Sequence, residues 1–395
     1  MTGDPSKGSR SAAIRSAIAG MFAMAAAMGV GRFVYTPFLP LMISDGALNA
    51  SSAGFVAGAN FLGYLVGAFA ASLVFFSKHS KFWMLAGLFG GVILSAAMAL
   101  EFGFAWMAVI RFLSGVASAF AMIFVTVSVM AIITANGLSS LSAVHFAGVG
   151  AGIAISACLV SLLNYLGMDW QLIWIAAALL GLGAVLIAIF LLPHDSTISG
   201  TSGNMDRVSS PISSVLWIFI ASYGFFGFGY VILATFINAM AKAEPALQAI
   251  EPWVWIIVGL SGIPSIWFWN RITVHLGSIS TYVLACFTEA VGVGLPAIIV
   301  SPFALVIAAI LLGGTFIAIT AIGLSHARQL APDNTSRAIA LMTASFGLGQ
   351  MIGPVVAGML FERTGGLTVA SKLAAIALVI AAGLALITQK LNKTA

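Results

Sequence analysis

Two arginines lie inside long apolar stretches of a chain that carries few charges. Lys and Arg together number 16, and Asp and Glu together number 11, among 395 residues, yet Arg32 and Arg111 both have apolar neighbours. A guanidinium in an apolar environment is costly unless it has a partner or a task. Its planar fork of donors suits a carboxylate. We therefore interpret Arg32 and Arg111 as an anion-binding pair.

The alternative interpretation is structural, with each arginine capping backbone carbonyls and bracing the packing of helices. Arg32 has suitable partners nearby in the sequence. Pro37 and Pro40 each remove a helical hydrogen bond, which frees the carbonyls of Phe33 and Thr36. Both interpretations stay open at the level of the sequence.

Other polar side chains in the apolar stretches are candidates for contact with the same bound molecule: Tyr35, Asn60, Tyr64, Tyr223, Tyr230 and Gln350. Two titratable residues are candidates for proton coupling. Glu289 is either a proton carrier or a neutral, hydrogen-bonded acid, because burial favours the uncharged carboxyl. His145 is either a titrating gate residue or an interfacial imidazole. The remaining histidines are expected in solvated loops: His79, His194, His275 and His326.

The patterns that most enzymes and metal sites need are missing. The sequence has no HExxH, no Ser/His/Asp set and no paired carboxylates at one depth, so we expect no catalytic activity. Its two cysteines, Cys158 and Cys286, form no CxxC motif. We expect neither a metal nor a cofactor. The glycine-rich runs lack the strand that precedes a phosphate loop, and they favour close helix packing instead.

The composition predicts an integral membrane protein. Hydrophobic residues make up 61% of the chain and charged residues 7%, against roughly 25% charged in a soluble protein. The basic residues are scattered singly between apolar runs, without the stripe that nucleic-acid binding needs. The partners we expect are therefore the lipid bilayer and a small molecule, together with protons, and not nucleic acid.

Twelve apolar segments are long enough to cross a bilayer, which takes about 20 residues each. The sequence therefore predicts an all-α protein of twelve transmembrane helices, joined by short connections, at 14–43, 50–76, 82–101, 104–133, 141–166, 171–192, 213–240, 252–270, 279–300, 303–325, 337–361 and 367–388. Arg32 lies about 24 Å along span 1 and Arg111 about 10 Å along span 4. These two spans run in opposite directions, so the arginines are expected at a similar depth, facing one pocket.

The distribution of basic residues predicts the orientation. With the N-terminus inside, eleven Lys and Arg residues fall in inner segments and three, Lys242, Arg363 and Lys372, in outer ones. Positive charge concentrates on the cytoplasmic side of membrane proteins. We therefore expect both termini in the cytoplasm and the protein in the cytoplasmic, or inner, membrane.

The two halves of the chain show an internal repeat. Gly29 and Gly31 match Gly227 and Gly229 at an offset of 198, which places Tyr230 at the repeat position of Arg32. A second match, between spans 5 and 11, has an offset of 199. We predict a six-helix bundle at 1–192, a cytoplasmic linker at 193–212 and a second, pseudo-symmetric bundle at 213–395. Parallel repeats of this kind are typical of secondary transporters, whose sites lie near mid-membrane between the repeats.

Over essentially its whole length the chain resembles the major facilitator superfamily. Arg111-Phe-Leu-Ser-Gly115 is similar to the Arg-x-x-x-Gly pattern of that superfamily. Three segments resemble its YbfB/YjiJ-type branch: Gly29-Val-Gly-Arg-Phe-Val-Tyr-Thr-Pro-Phe-Leu-Pro40, Ala59-Asn-Phe-Leu-Gly-Tyr64 and Tyr223-Gly-Phe-Phe-Gly-Phe-Gly-Tyr230. The resemblance implies a central cavity lined by spans 1, 4, 7 and 10. The sequence differs from the family pattern in two places. The loop at Phe75–Lys81 lacks the family's acidic residue, and span 5 lacks the Gly-Pro pattern of drug–proton antiporters.

These observations predict a monomeric secondary active transporter that works by alternating access. We favour a small organic anion, such as a carboxylate, moved with protons. The reason is that two arginines, Arg32 and Arg111, but only one acid, Glu289, lie deep within the predicted spans. The first alternative is a proton-antiport exporter of hydrophobic, drug-like compounds. The second, from another class, is a membrane sensor or passive channel with a transporter fold.

Overall fold

The computed structural model describes residues 5–192 and 212–394, which are almost entirely helical and contain no strand. The predicted linker, apart from residue 212, lies outside the described residues, as does His194. The helices are α1 (Pro5–Met24), a π-helix (Ala25–Phe33), α2 (Tyr35–Ser44), α3 (Ala50–Ala71), α4 (Val74–Lys78), α5 (Ser80–Ala97), α6 (Phe104–Ala135), α7 (Ser142–Tyr165), α8 (Trp170–Leu191), α9 (Ser214–Ala243), α10 (Glu251–Gly262), α11 (Ser265–Leu276), α12 (Ser278–Gly294), α13 (Pro302–Leu330), α14 (Thr335–Thr364) and α15 (Thr368–Thr394). Short 3₁₀ turns lie at Ser139–Leu141, Leu295–Ala297 and Pro332–Asn334.

Within the described residues, eleven helical segments are long and apolar enough to cross a membrane, and the bent pair α10–α11 makes twelve if it is counted as one span. The predicted eighth span, 252–270, is thus a broken helix with a bend of 46°. Pro264 contributes to the break, because proline donates no hydrogen bond and its ring crowds the carbonyl four residues earlier. Ile263, the residue before it, keeps helical backbone angles. The prediction of an all-α membrane protein is confirmed, with the eighth helix interrupted.

The internal repeat reappears as repeated contacts. A side chain at Gly115 of α6 would collide with the carbonyl of Asn60 on α3, and a side chain at Gly313 of α13 would collide with the carbonyl of Val258 on α10. The members of these two contact pairs differ by 198 positions, the offset read from the sequence. The same helix crossing is therefore built once in each half of the chain.

The two halves meet along two close helix crossings. At the crossing of α3 and α14, Gly58 lies so near the backbone that an added Cβ would stand 3.0 Å from the Met351 carbonyl oxygen. At the crossing of α7 and α10, a Cβ at Gly150 would stand 2.6 Å from the Gly259 carbonyl oxygen. Small residues allow backbones to approach this closely and are typical of packed membrane helices.

The side on which α1 begins and α15 ends is called the terminal face below. Arg15, midway along α1, donates from Nε to the Leu191 carbonyl at the end of α8, over 2.9 Å. In the other half, Gln389 of α15 donates to Ser280 of α12, also over 2.9 Å. In the first half, α1 and the end of α8 therefore meet near this face, and in the second half the end of α15 meets the start of α12 there.

Candidate functional site

A π-helix interrupts the first span beside a proline. It covers nine residues, Ala25–Phe33, and α2 follows with Pro37 in its first turn. A π-helix pairs each carbonyl with the N–H five residues later, whereas an α-helix pairs it with the fourth. Because Pro37 has no N–H, it satisfies neither the Arg32 carbonyl in the π register nor the Phe33 carbonyl in the α register. Two carbonyls near mid-span therefore need donors from other helices.

The Arg32 side chain lies among aromatic rings. Its guanidinium carbon is 4.1 Å from the ring centroid of Tyr64 and 4.7 Å from that of Phe61, which are cation–π distances. Nη2 donates to Oε1 of Gln350 over 3.0 Å. This bond joins the two halves of the chain.

Gln350 also connects Arg32 with Tyr230, since its side-chain nitrogen donates to the Tyr230 hydroxyl. The Tyr230 ring lies almost parallel to Phe316 at 5.7 Å and to Phe346 at 5.8 Å, measured between ring centroids. We call Arg32, Gln350 and Tyr230 the polar cluster. It thus places a fixed positive charge close to the aromatic rings of Tyr230, Phe316 and Phe346.

A cavity of about 150 Å³ extends from the polar cluster towards the terminal face, and we call it the central cavity. Arg32 and Tyr230 at its deep end are 4% and 2% exposed, whereas Ala321, nearer the terminal face, is exposed. No acidic residue is found among the described residues that line it. The rest of the lining is mostly apolar: Met24, Met28, Phe33, Tyr64, Met122, Phe146, Val149, Ile266, Phe316, Ile317, Thr320, Ala321, Leu324 and Phe346.

The side away from the termini is closed by contacts between the halves. The Thr36 hydroxyl donates to the Ala234 carbonyl over 2.7 Å, a bond between positions that are equivalent in the repeat. The Trp255 indole donates to the freed Phe33 carbonyl over 3.1 Å. Further out, the Ser161 hydroxyl donates to the Pro252 carbonyl and the Ser51 amide donates to Glu362. The structure is therefore open towards the terminal face and shut on the other.

Arg111 sits in a different environment from Arg32. Its Nη1 donates to the Gly31 carbonyl over 3.1 Å and its Nη2 to the Arg32 carbonyl over 2.9 Å. The second of these is a carbonyl that Pro37 leaves without a partner. Asn60 in turn donates to the carbonyl of Arg111 over 2.9 Å. Arg111 therefore fastens α6 to the π-helix of the first span.

The structure separates the expected contact residues into three groups. Four of them line the central cavity: Arg32, Tyr64, Tyr230 and Gln350. Tyr35 and Arg111 line a second, much smaller cavity together with Arg32. Asn60 and Tyr223 line neither, and each donates to a main-chain carbonyl, at Arg111 and Thr320 respectively.

Both candidates for proton coupling are fully buried and lie outside the cavity linings. Glu289 on α12 faces Thr315, but the Thr315 hydroxyl donates to the Leu311 carbonyl over 2.6 Å. Neither carboxyl oxygen of Glu289 has a hydrogen-bond partner. His145 on α7 lies 3.0 Å from the Thr126 hydroxyl through Nε2, and its Nδ1 has no partner.

The expectation that His326 is solvated in a loop is wrong. Because α13 continues to Leu330, His326 is helical and only 7% exposed. Its Nδ1 lies 2.8 Å from the Ser278 hydroxyl and its ring packs against Phe219. His79 and His275 are exposed, as expected, but His275 lies in α11 and not in a loop.

Sequence reasoning missed Trp255, Phe316 and Phe346. Each reads as one more apolar residue of its span, and no spacing singles it out. The freed Phe33 carbonyl was visible from Pro37, but its partner, 222 residues away, was not. Among the described residues, no group of three or more His, Cys, Asp or Glu side chains is placed to hold a metal.

A family model described as "Uncharacterised MFS-type transporter YbfB" matches residues 24–386. No curated protein matches the chain. Among solved structures, a crystal structure of a mutant of the nucleoside transporter NupG has a TM-score of 0.71 and 16% identity, and the match covers 96% of this chain and 98% of that one. A second NupG crystal structure has a TM-score of 0.70 and 15% identity, covering 97% and 99%. At this identity the likeness shows the fold alone.

Proposed function

Because the chain belongs to the YbfB-type family of major facilitator transporters, which are integral membrane proteins, we propose that it carries a small organic anion across the bilayer. One observation supports this substrate class above all. The deep end of the central cavity presents the Arg32 guanidinium, and the described lining holds no carboxylate to neutralise it. A net positive charge in a low-dielectric site favours a negatively charged solute.

The shape and lining of the central cavity support a carboxylate with a flat apolar body. Arg32 and Gln350 supply donors for the carboxylate, while Phe316 and Phe346 offer apolar ring faces. The volume of about 150 Å³ is below the roughly 300–1,000 Å³ of drug-sized pockets. A small aromatic acid therefore fits the proposal better than a bulky drug.

Transport would proceed by alternating access. The central cavity extends towards the terminal face, and the hydrogen bonds of Thr36 and Trp255 hold the halves together on the other side. If both termini are cytoplasmic, as the bias of basic residues predicts, the central cavity opens to the cytoplasm. Rocking of the two halves about the polar cluster would break these bonds and open the cavity outwards. The proposed site is complete within one chain, so a monomer suffices.

Binding of defined solutes to purified protein tests the substrate class. Benzoate-type carboxylates should raise the melting temperature, because a ligand that binds the native state stabilises it. The matched neutral amides should not, and neither should nucleosides, which lack the negative charge. Arg32→Gln should abolish the carboxylate response. Arg271→Gln, which removes an exposed arginine that lies over Trp267, should preserve it.

A second variant tests the charge without deleting Arg32. Gln350→Glu places a carboxylate beside the guanidinium at nearly unchanged volume. It should neutralise Arg32 and weaken binding of the carboxylate by at least tenfold while the protein stays folded. A carboxylate response that persists in both Arg32→Gln and Gln350→Glu refutes the organic-anion proposal.

Export of hydrophobic compounds by proton antiport is the second candidate, favoured by the Met and Phe residues of the central cavity. It predicts binding of neutral or cationic hydrophobic compounds that is unaffected by Arg32→Gln.

The passive channel or sensor is tested by counterflow in proteoliposomes. Internal unlabelled solute accelerates entry of label through a carrier, and leaves it unchanged in a channel.

Glu289 is proposed as the proton carrier, with His145 as the alternative. An ionised carboxyl without any donor in an apolar interior is very costly, so Glu289 should be protonated in this conformation. Glu289→Gln keeps the shape and fixes the neutral state. It should abolish accumulation driven by a pH gradient and leave counterflow intact. If His145→Gln abolishes the accumulation and Glu289→Gln does not, the proton role passes to His145.

A further inference from the structure

A second cavity, of about 20 Å³, lies between Arg32 and Arg111 on the side away from the termini, and we call it the small cavity. Its other walls come from both halves of the chain, including Tyr35, Thr36, Ala57 and Thr235. Arg32 and Phe33 border the central cavity as well, so the two cavities share a wall. The remaining lining of the small cavity is its own.

Neighbouring side chains do not neutralise the positive charges of Arg32 and Arg111, which line the small cavity. Both arginines keep their charge at any physiological pH. Their hydrogen-bond partners are neutral: Gln350 for Arg32, and the carbonyls of Gly31 and Arg32 for Arg111. Among the described residues, no carboxylate forms an ion pair with either guanidinium. Neutral dipoles soften the repulsion between two buried cations but leave the net charge in place.

Each arginine also has a buried donor atom that lacks a partner. The Nε atoms of Arg32 and Arg111 are fully buried and have no hydrogen-bond partner. The two side chains are only 4% and 2% exposed, so bulk water does not satisfy these groups. Buried N–H groups of charged side chains rarely stay unpaired in native proteins. Two unused donors on two uncompensated cations call for an acceptor with negative charge.

The size of the small cavity limits what this acceptor is. A volume of about 20 Å³ accommodates one water-sized particle, and a carboxylate-bearing solute needs several times that space. We propose that the small cavity binds one monatomic anion, with chloride as the occupant. This site shares Arg32 with the one proposed for the organic anion, but it does not rest on that function.

Halide titration of the purified protein tests the proposal. The protein is prepared in gluconate at constant ionic strength, since gluconate is too large for the cavity, and chloride or bromide is then added. The melting temperature should rise saturably with either halide. Arg111→Gln should weaken the apparent halide affinity at least tenfold, and Arg271→Gln should leave it unchanged. A melting temperature that is equal in gluconate and chloride means that the cavity holds only water and overturns the proposal.

Two further measurements keep the test decisive if Arg111→Gln fails to fold. Ala57→Val adds two methyl groups to the wall of the cavity and should abolish the halide response with both arginines in place. Crystals grown in bromide should show an anomalous peak between Arg32 and Arg111, and the absence of a peak there contradicts the proposal. Carboxylate binding is measured separately in gluconate. If carboxylate binding is absent while halide binding persists, only the organic-anion proposal is refuted.

Discussion

Arg32 and Arg111 belong to one residue type and lie close together, yet the local backbone gives them different tasks. Pro37 leaves two carbonyls of the first span without partners, and Arg111 and Trp255 each take one. Arg111 is thereby committed to the main chain through Nη1 and Nη2. Arg32 bonds a side chain instead and borders both cavities. Arg111 borders only the small cavity, whereas Arg32 is the residue on which the substrate proposal depends.

The carbonyl that Trp255 satisfies gives a prediction at this scale. Trp255→Phe keeps an aromatic ring but leaves the Phe33 carbonyl unsatisfied, which should cost about 1–3 kcal/mol of unfolding free energy. Trp267→Phe, at an exposed position, should cost about 0.5 kcal/mol or less. In a Pro37→Ala background the new N–H is able to serve the Phe33 carbonyl, so Trp255→Phe should then cost less. Unfolding in mixed micelles measures these values, and an equal cost in both backgrounds contradicts the explanation.

At the scale of elements, the broken helix α10–α11 and the close crossings set how the halves meet. Gly259 of α10 packs against Gly150 of α7 without room for a side chain, since an added Cβ would lie 2.7 Å from the Gly150 carbonyl oxygen. This contact lies about one turn along α10 from Trp255 and next to Val149, which lines the central cavity. A second close crossing joins α3 and α14, where Gly58 approaches Met351. The close approach of the halves in this conformation therefore depends on glycines.

Gly259→Val tests this dependence. Overpacking typically costs about 1–3 kcal/mol, and every 1.4 kcal/mol changes an equilibrium about tenfold. The substitution should disfavour the conformation seen here and reduce counterflow to about a tenth or less. Gly91→Val is the matched control, because a Cβ at Gly91 meets nothing within 4 Å. Normal counterflow in Gly259→Val would show that this crossing does not govern closure.

At the scale of the whole molecule, two similar halves enclose the central cavity, which extends towards the terminal face. The repeat brings Arg32 and Tyr230, equivalent in sequence but different in chemistry, to one level of the cavity. Hydrogen bonds between the halves, such as those of Thr36 and Trp255, lie at this level or further from the terminal face. Access to the polar cluster is therefore expected from the terminal face.

Cysteine labelling tests both the opening and the orientation. In a Cys158→Ala background, Ala321→Cys should react with a membrane-impermeant maleimide, because Ala321 is exposed within the cavity. Thr235→Cys, which is 4% exposed at the small cavity, should react at least tenfold more slowly. The reaction of Ala321→Cys should occur in inside-out vesicles and not in right-side-out vesicles. The reverse sidedness would show that the termini are outside.

The sequence by itself determined the class of the molecule. Whether about 20 contiguous residues cross a bilayer depends on their summed hydropathy, so the membrane fold and most spans were predictable from local composition. The 198-residue repeat was also legible, and it is visible again in the paired contacts of Gly115 and Gly313. Arg32 stood out as a candidate because its charge contrasts with its neighbours.

Only the tertiary structure decided which partners these residues have. Gln350 reaches Arg32 across 318 positions, and Trp255 reaches Phe33 across 222. Such pairings depend on how helices cross, which hydropathy does not encode. The same holds for the division between Arg32, which borders the central cavity, and Arg111, which is bonded to main-chain carbonyls. The sequence supplied the charges and the missing N–H of Pro37, and the packing of the helices assigned a partner to each.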